Sequence, residues 1–202
     1  RIAFSDLSQQ ITETTGWLFI IGVNIFVVFC FWVAFGKYGN KRLGGKKALP
    51  EFSLFAWFSM LFSAGMGIGL LYFSVSEPIQ HYAQPPIPLG SNPDLAIQAL
   101  DFTFLHYGLH AWAIYCVVGL SLAYYAFNRK LPFSLRSIFF PILGRKINSI
   151  YGDIIDIIAV VATLFGLATS LGFGSKQIAS GLNYLFQIDS GVGTQIIIIA
   201  VI

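Results

Sequence analysis

The chain of 202 residues is 56% hydrophobic and only 10% charged, with a mean hydropathy of +0.73. Soluble domains carry about a quarter of their residues as charge, so this composition excludes an ordinary water-soluble globule and places the chain in a bilayer. The net charge of +3 is gathered into a few short loops, which argues for membrane orientation and against nucleic-acid binding.

In chain order, apolar segments predict spans near 17–35, 52–73, 102–125 and 154–171, the last continuing toward 185 as one long helix with a more polar outer end. A fifth segment opens at 194 and runs to 202, so the expectation is an all-α membrane region over 1–202 with four complete transmembrane helices and part of a fifth. With no initiator Met at Arg1 and a last apolar run shorter than the roughly 20 residues a crossing needs, the sequence is expected to be an internal piece of a longer chain.

Lys37, Lys41, Arg42, Lys46 and Lys47 follow the first span, and Arg129, Lys130, Arg136, Arg145 and Lys146 follow the third. The loops at 74–101 and 187–194 carry no Lys or Arg, so the basic loops are expected in the cytoplasm and Ser5 to Thr15 outside. EPIQHYAQPPIPLGSNPD, residues 77–94, is rich in proline and is expected to be an irregular outer loop, with Asn92 or Asp94 capping the next helix and Glu77 at the outer surface. LPFSLRSIFFPIL, residues 131–143, is too short to span and suits the cytoplasmic interface. Cys30 and Cys116 lie in apolar runs and read as buried small hydrophobes rather than as a disulfide or zinc framework.

Within the second span, SAGMGIG (Ser63 to Gly69) puts three glycines at alternate positions, where helix propensity is poorest. Gly65 and Gly69 form a small-xxx-small pair, which is the packing reading. Gly65, Gly67 and Gly69 together cannot all face one partner helix, which favours an interruption that exposes backbone polar groups to a cavity. A phosphate-binding glycine loop needs a preceding strand and a soluble context, and both are missing from the pattern.

The third span carries Phe104, Tyr107, Trp112 and Tyr115. Phe102 and Tyr107 suit an interfacial aromatic belt, but Trp112 lies about 15 Å deeper than Phe102 at 1.5 Å per residue, where stacked rings suit a quaternary ammonium by cation–π attraction. His106 and His110 are spaced as metal ligands on one helix, yet the remaining histidine, His81, falls in the predicted loop, so hydrogen bonding is the default. On the fourth span Asp153 and Asp156 favour the helix N-terminus, and Lys176 is expected to snorkel at the outer interface. The hydroxyls of Thr163, Thr169 and Ser170 read either as packing hydrogen bonds or as hard oxygen ligands for sodium. No Ser-His-Asp or Cys-His set is present, and nothing points to an enzyme.

AGMGIGLLYFSVSEPIQHY, LHYGLHAWAIYCVVGLSLAYYAFNRKLPFSLRSIFFPILG and DIIDIIAVVATLFGLATSLGFGSKQI together resemble the betaine/carnitine/choline transporter (BCCT) family, from about Trp17 to the end. The resemblance implies import of a quaternary-ammonium solute, such as glycine betaine, choline or carnitine, across the plasma membrane. It also implies a leucine-transporter-type inverted-repeat fold, cation coupling and a homotrimer. Carried over residue by residue, it puts Gly65, Met66 and Gly67 at the interrupted helix beside substrate and makes Trp112 and Tyr115 walls of the aromatic box. Tyr107 stands where betaine carriers have Trp. Sodium would be held by carbonyls of Ser63 and Met66 and by hydroxyls of Thr163 and Ser170, with Leu167 standing where a sodium-coupled member has Thr. A channel, or a membrane sensor that binds such a solute without moving it, is the alternative class.

Overall fold

The computed structural model describes residues 2–65, 67–87 and 94–201, which are all-helical with no strand among them. The helices are α1 (Ile2–Phe35), α2 (Leu54–Gly65), α3 (Ile68–Ala83), α4 (Leu95–Tyr107), α5 (Leu109–Ala123), the single turn α6 (Phe140–Leu143), α7 (Ile150–Phe186) and α8 (Val192–Val201). Three stretches are long and apolar enough to cross a bilayer alone, Asp6–Phe35, Leu95–Asn128 and Ile150–Phe186, and the α2–α3 pair makes a fourth if taken as one bent span. Large apolar side chains stay exposed along all of them, as expected of surfaces solvated by lipid or covered by further helices.

The chain divides into two compact units, Arg1–Ala48 with Phe104–Phe133, and Leu49–Thr103 with Ser134–Ile202. In the first, α1 packs along α5, and the Cys30 thiol donates to the Ala113 carbonyl at 3.8 Å. Both cysteines are free; Cys30 is half-buried, but Cys116 is exposed, contrary to the buried reading. Beyond α1 the chain turns back through Gly44 and Gly45, whose φ values of +84° and +97° favour glycine. Asn128 clasps that turn, its Oδ1 accepting from the Gly44 amide at 2.8 Å and its Nδ2 donating to the Arg42 carbonyl at 3.1 Å. Asn128 ends a π-helical turn, Tyr124–Asn128, that extends α5.

In the second unit α3 leans on α7 through an aromatic trio, with Phe173 centred 5.5 Å from both Tyr72 and Phe73. Two expectations for the loop at 77–94 need correction: residues 77–83 are helical and continue α3 past Pro78, and His81 sits on that helix. Its ring lies 3.0 Å from Glu77 one turn earlier, so a polar pair that reads as loop in sequence satisfies itself along the helix. Glu77 is accordingly buried at 8% exposure. Asp94 does cap α4, accepting from the Ala96 and Ile97 amides at 3.0 and 3.3 Å; Asn92 lies outside the described residues. The third span therefore begins at Leu95, earlier than 102, and the fourth at Ile150, earlier than 154.

The segment at 131–143 carries no long amphipathic helix. It forms a 3-10 turn at Leu135–Phe139 and then α6, followed by a second 3-10 turn at Gly144–Asn148. One residue ties it down. Arg136 donates through Nε to Asp156 at 2.6 Å, through Nη2 to Asp153 at 2.9 Å and through Nη1 to the Ile147 carbonyl at 3.3 Å. The Asp156 hydrogen bond is the main cause that lifts the guanidinium above its ordinary pKa, with desolvation opposing. A raised folded-state value for a cation means stabilisation fully present at neutral pH and lost only as pH climbs through the strongly alkaline folded value. Close approach completes the joint, since a Cβ on the buried Gly152 would collide with the Ile147 carbonyl. Arg136→Gln is expected to loosen the surface segment without unfolding the spans. Amide exchange across 135–148 should accelerate about tenfold, measured by hydrogen–deuterium exchange of the full-length protein.

Candidate functional site

The second span is interrupted where the alternating glycines predict. α2 ends at Gly65, α3 begins at Ile68, and the helix axes bend by 42° across the break. Gly67 is the N-cap of α3 in extended conformation (φ −74°, ψ 179°), has no side-chain cap, and accepts the Leu71 amide at 3.1 Å. Any residue adopts that backbone conformation, so glycine is not required there by φ. Nor is it required by local crowding, because a Cβ at Gly67 would meet nothing nearer than the Ala64 carbonyl at 3.8 Å. A helix that stops at Gly65 leaves its last-turn carbonyls, Ser63 among them, without intrahelical amides, and the first turn of α3 offers amides without intrahelical carbonyls. Ser63 and Gly67 are exposed and Gly65 half-buried; Met66 lies outside the described residues.

The third span has an irregularity that the sequence pattern does not announce. α4 ends at Tyr107 and α5 starts at Leu109, with Gly108 between them at φ −87°, ψ −144°. The Trp112 indole N–H donates to the Tyr107 carbonyl at 3.0 Å, so the break is braced by the aromatic side chain itself. Trp112 and Tyr115 pair with ring centroids 5.7 Å apart and planes tilted by 43°. Both rings are open, at 50% and 72% exposure, while Tyr107 is half-buried. Together they form an apolar, electron-rich surface of the type that attracts alkylammonium groups. His106 ends α4 and His110 opens α5, on either side of Gly108.

Gly108 has a specific local cause, since a Cβ there would collide with the Phe104 carbonyl. Gly108→Ala is expected to shift the joint by forcing backbone apart, at about 1–3 kcal/mol. It should lower the melting temperature of the full-length protein by several degrees, read by scanning fluorimetry, whereas Gly119→Ala, with open space around its Cβ, should not.

The hydroxyls of α7 are engaged along their own helix: Thr163 donates to the Ala159 carbonyl at 2.8 Å and Thr169 to that of Phe165 at 2.9 Å. Their oxygens keep lone pairs able to face a cation. Ser170 is exposed and Leu167 is 53% exposed, beside them on α7. Lys176 is exposed as well. Ser175, which no sequence pattern singles out, is the deeply buried hydroxyl of α7, at 2% exposure and donating to the Gly172 carbonyl at 3.1 Å. The aromatic pair belongs to the first unit; the glycine break and these hydroxyls belong to the second.

These features define a multi-pass helical membrane protein in which one span is broken at a glycine cluster and another carries an open aromatic pair beside a one-residue irregularity at Gly108. The chain belongs to the BCCT, betaine/carnitine/choline family transporter group, whose family model matches residues 2–202. It is 48% identical over 206 residues to glycine betaine transporter 1 of Vibrio parahaemolyticus, covering 100% of this chain and 39% of the relative. To a glycine betaine transporter of Bacillus subtilis it is 46% identical over 193 residues, covering 95% of this chain and 38% of the relative. A second Vibrio parahaemolyticus relative, named a glycine betaine/proline/choline/ectoine transporter, is 44% identical over 204 residues, covering 99% of this chain and 36% of the relative. The chain thus spans less than two fifths of the length of these curated relatives.

Proposed function

We propose that the full-length protein is a secondary active transporter that imports glycine betaine, or a close quaternary-ammonium relative such as choline or carnitine, across the plasma membrane on a cation gradient. The observation that carries this reading is the interruption between Gly65 and Ile68 in an otherwise apolar span. Each backbone polar group left without a partner in hydrocarbon costs several kcal/mol, so a break is kept where solute or ion supplies the partner.

Each unit, taken by itself, offers a partner to one kind of polar group. In the first, Trp112 and Tyr115 offer an ammonium their ring faces, each contributing about 0.5 to 2 kcal/mol, with Tyr107 beside them. In the second, the amides at the start of α3, around Gly67, offer a carboxylate hydrogen bonds where the helix dipole favours an anion. Sodium sits on carbonyls of Ser63 and Met66, completed by ligands on other helices, and a second cation site uses Thr163 and Ser170 with one oxygen fewer because of Leu167. An inverted repeat of the leucine-transporter type, assembled as a homotrimer, would supply the alternating access. Betaine is placed first among substrates because all three relatives above carry it in their names.

The test is uptake of radiolabelled betaine, choline and carnitine by the full-length protein in liposomes, with and without an inward sodium gradient. Saturable accumulation against the solute gradient, dependent on the ion gradient, is the expected result. Binding without accumulation would make the protein a sensor, and non-saturable downhill flux would make it a channel.

A further inference from the structure

Between α1 and α5, within the first unit, runs a groove of about 800 Å³, of which the transport reading uses only the end at Trp112. Its walls are apolar, with Phe31, Trp32 and Leu120 among them, and Trp112 lies at its far end. Its near end is built differently, from Tyr38, Lys41 and Tyr124. The Lys41 ammonium stands 5.7 Å from the centre of the Tyr38 ring and 5.8 Å from that of Tyr124, and the Arg129 guanidinium is 5.9 Å from the same Tyr124 ring. Lys37 approaches Tyr38 at 5.2 Å.

Nothing acidic balances these cations within their own segments. Residues 36–48 and 124–133 contain Lys37, Lys41, Arg42, Lys46, Lys47, Arg129 and Lys130 and no Asp or Glu. The Asn128 clasp on the Gly44 amide and Arg42 carbonyl fixes the turn that presents Lys41, so the cationic end is held in place before any ligand arrives. Apolar walls leading to a fixed cluster of cations complement one type of bilayer molecule.

The geometry points to a binding site for an anionic glycerophospholipid, its acyl chain laid along the α1–α5 groove and its phosphate headgroup on Lys41 and Arg129. By the positive-inside rule the lipid comes from the cytoplasmic leaflet. A phosphatidylcholine would carry its own cation into a cluster with no local acid to receive it and is disfavoured. Two copies of this chain facing each other here would set like charges together, and a neutral helix would cover the walls but leave the cations unmatched.

Native mass spectrometry of the full-length protein, titrated with dioleoylphosphatidylglycerol or dioleoylphosphatidylcholine, tests this. The wild type should retain the glycerol lipid about 30-fold more strongly, the discrimination expected of two cations beside an anionic headgroup. Lys41→Gln with Arg129→Gln should erase the preference, while Lys46→Gln with Lys47→Gln, outside the groove, should keep it. Leu120→Trp, which fills the groove and leaves the charges alone, should weaken retention of both lipids, and millimolar glycerol 3-phosphate should displace neither. No preference in the wild type, or a preference that survives the Lys41/Arg129 change, would overturn the assignment. So would displacement by the soluble phosphate, or indifference to Leu120→Trp, which would mean that protein covers the groove.

Discussion

Trp112→Ala in the full-length protein is expected to abolish measurable betaine uptake while membrane insertion and expression stay normal. Two losses combine. The alanine removes the larger face of the 5.7 Å Trp112–Tyr115 pair and, with it, about 1–2 kcal/mol of cation–π attraction, roughly a five- to thirty-fold weakening of ammonium binding. It also removes the indole N–H that holds the Tyr107 carbonyl at 3.0 Å, so the joint between α4 and α5 loses its brace. Trp112→Phe separates the two, keeping a ring but no donor. It should transport at a reduced rate with KM raised by several fold, and uptake kinetics of the two variants side by side provide the measurement. Near-normal uptake by Trp112→Ala would remove the aromatic pair from the substrate site.

Gly67→Val is the second large effect, and its interest lies in what it should leave intact. The extended backbone at Gly67 accepts a β-branched residue, and its Cβ position is open, the Ala64 carbonyl at 3.8 Å being an ordinary contact. Folding and thermal stability should therefore change little. On the proposed reading, transport should fall by at least about a hundredfold, because two methyl groups would stand over the amides at the head of α3 that are assigned to a carboxylate within about 3 Å. Liposome uptake together with melting temperature distinguishes the outcomes. Wild-type kinetics would mean that the glycines serve helix packing alone, and loss of uptake together with collapse of stability would mean that Gly67 is structural.

The spans are legible in the sequence because crossing a bilayer takes about 20 apolar residues, and few patterns imitate that. The break at Gly67 is legible too, since glycines at alternate positions cannot all serve one helix face. Gly108 is not: a single glycine between two histidines looks like any packing glycine, and what makes it necessary is the Phe104 carbonyl folded back against it. Helix ends are misjudged wherever polar residues find partners along the helix or across space. Glu77 and His81 satisfy each other one turn apart, so polarity that suggests a loop belongs to α3. Arg136 finds Asp153 and Asp156 17 and 20 positions away, a pairing that no local pattern announces. For the same reason Phe173, which seats α3 on α7, is hidden in a run of small and hydroxyl residues.

The length of α7 has a mechanical consequence. Its 37 residues measure about 55 Å, against a hydrocarbon thickness of about 30 Å, so the helix either slants steeply or overhangs the bilayer. Because Arg136 staples its first turns to the surface segment, a tilt of α7 about that end would turn the surplus length into a lever arm. Swinging such an arm by about 10° carries its far tip roughly 10 Å, by the 1.5 Å rise of each residue, so a small tilt at the stapled end becomes a displacement the size of a solute at the other.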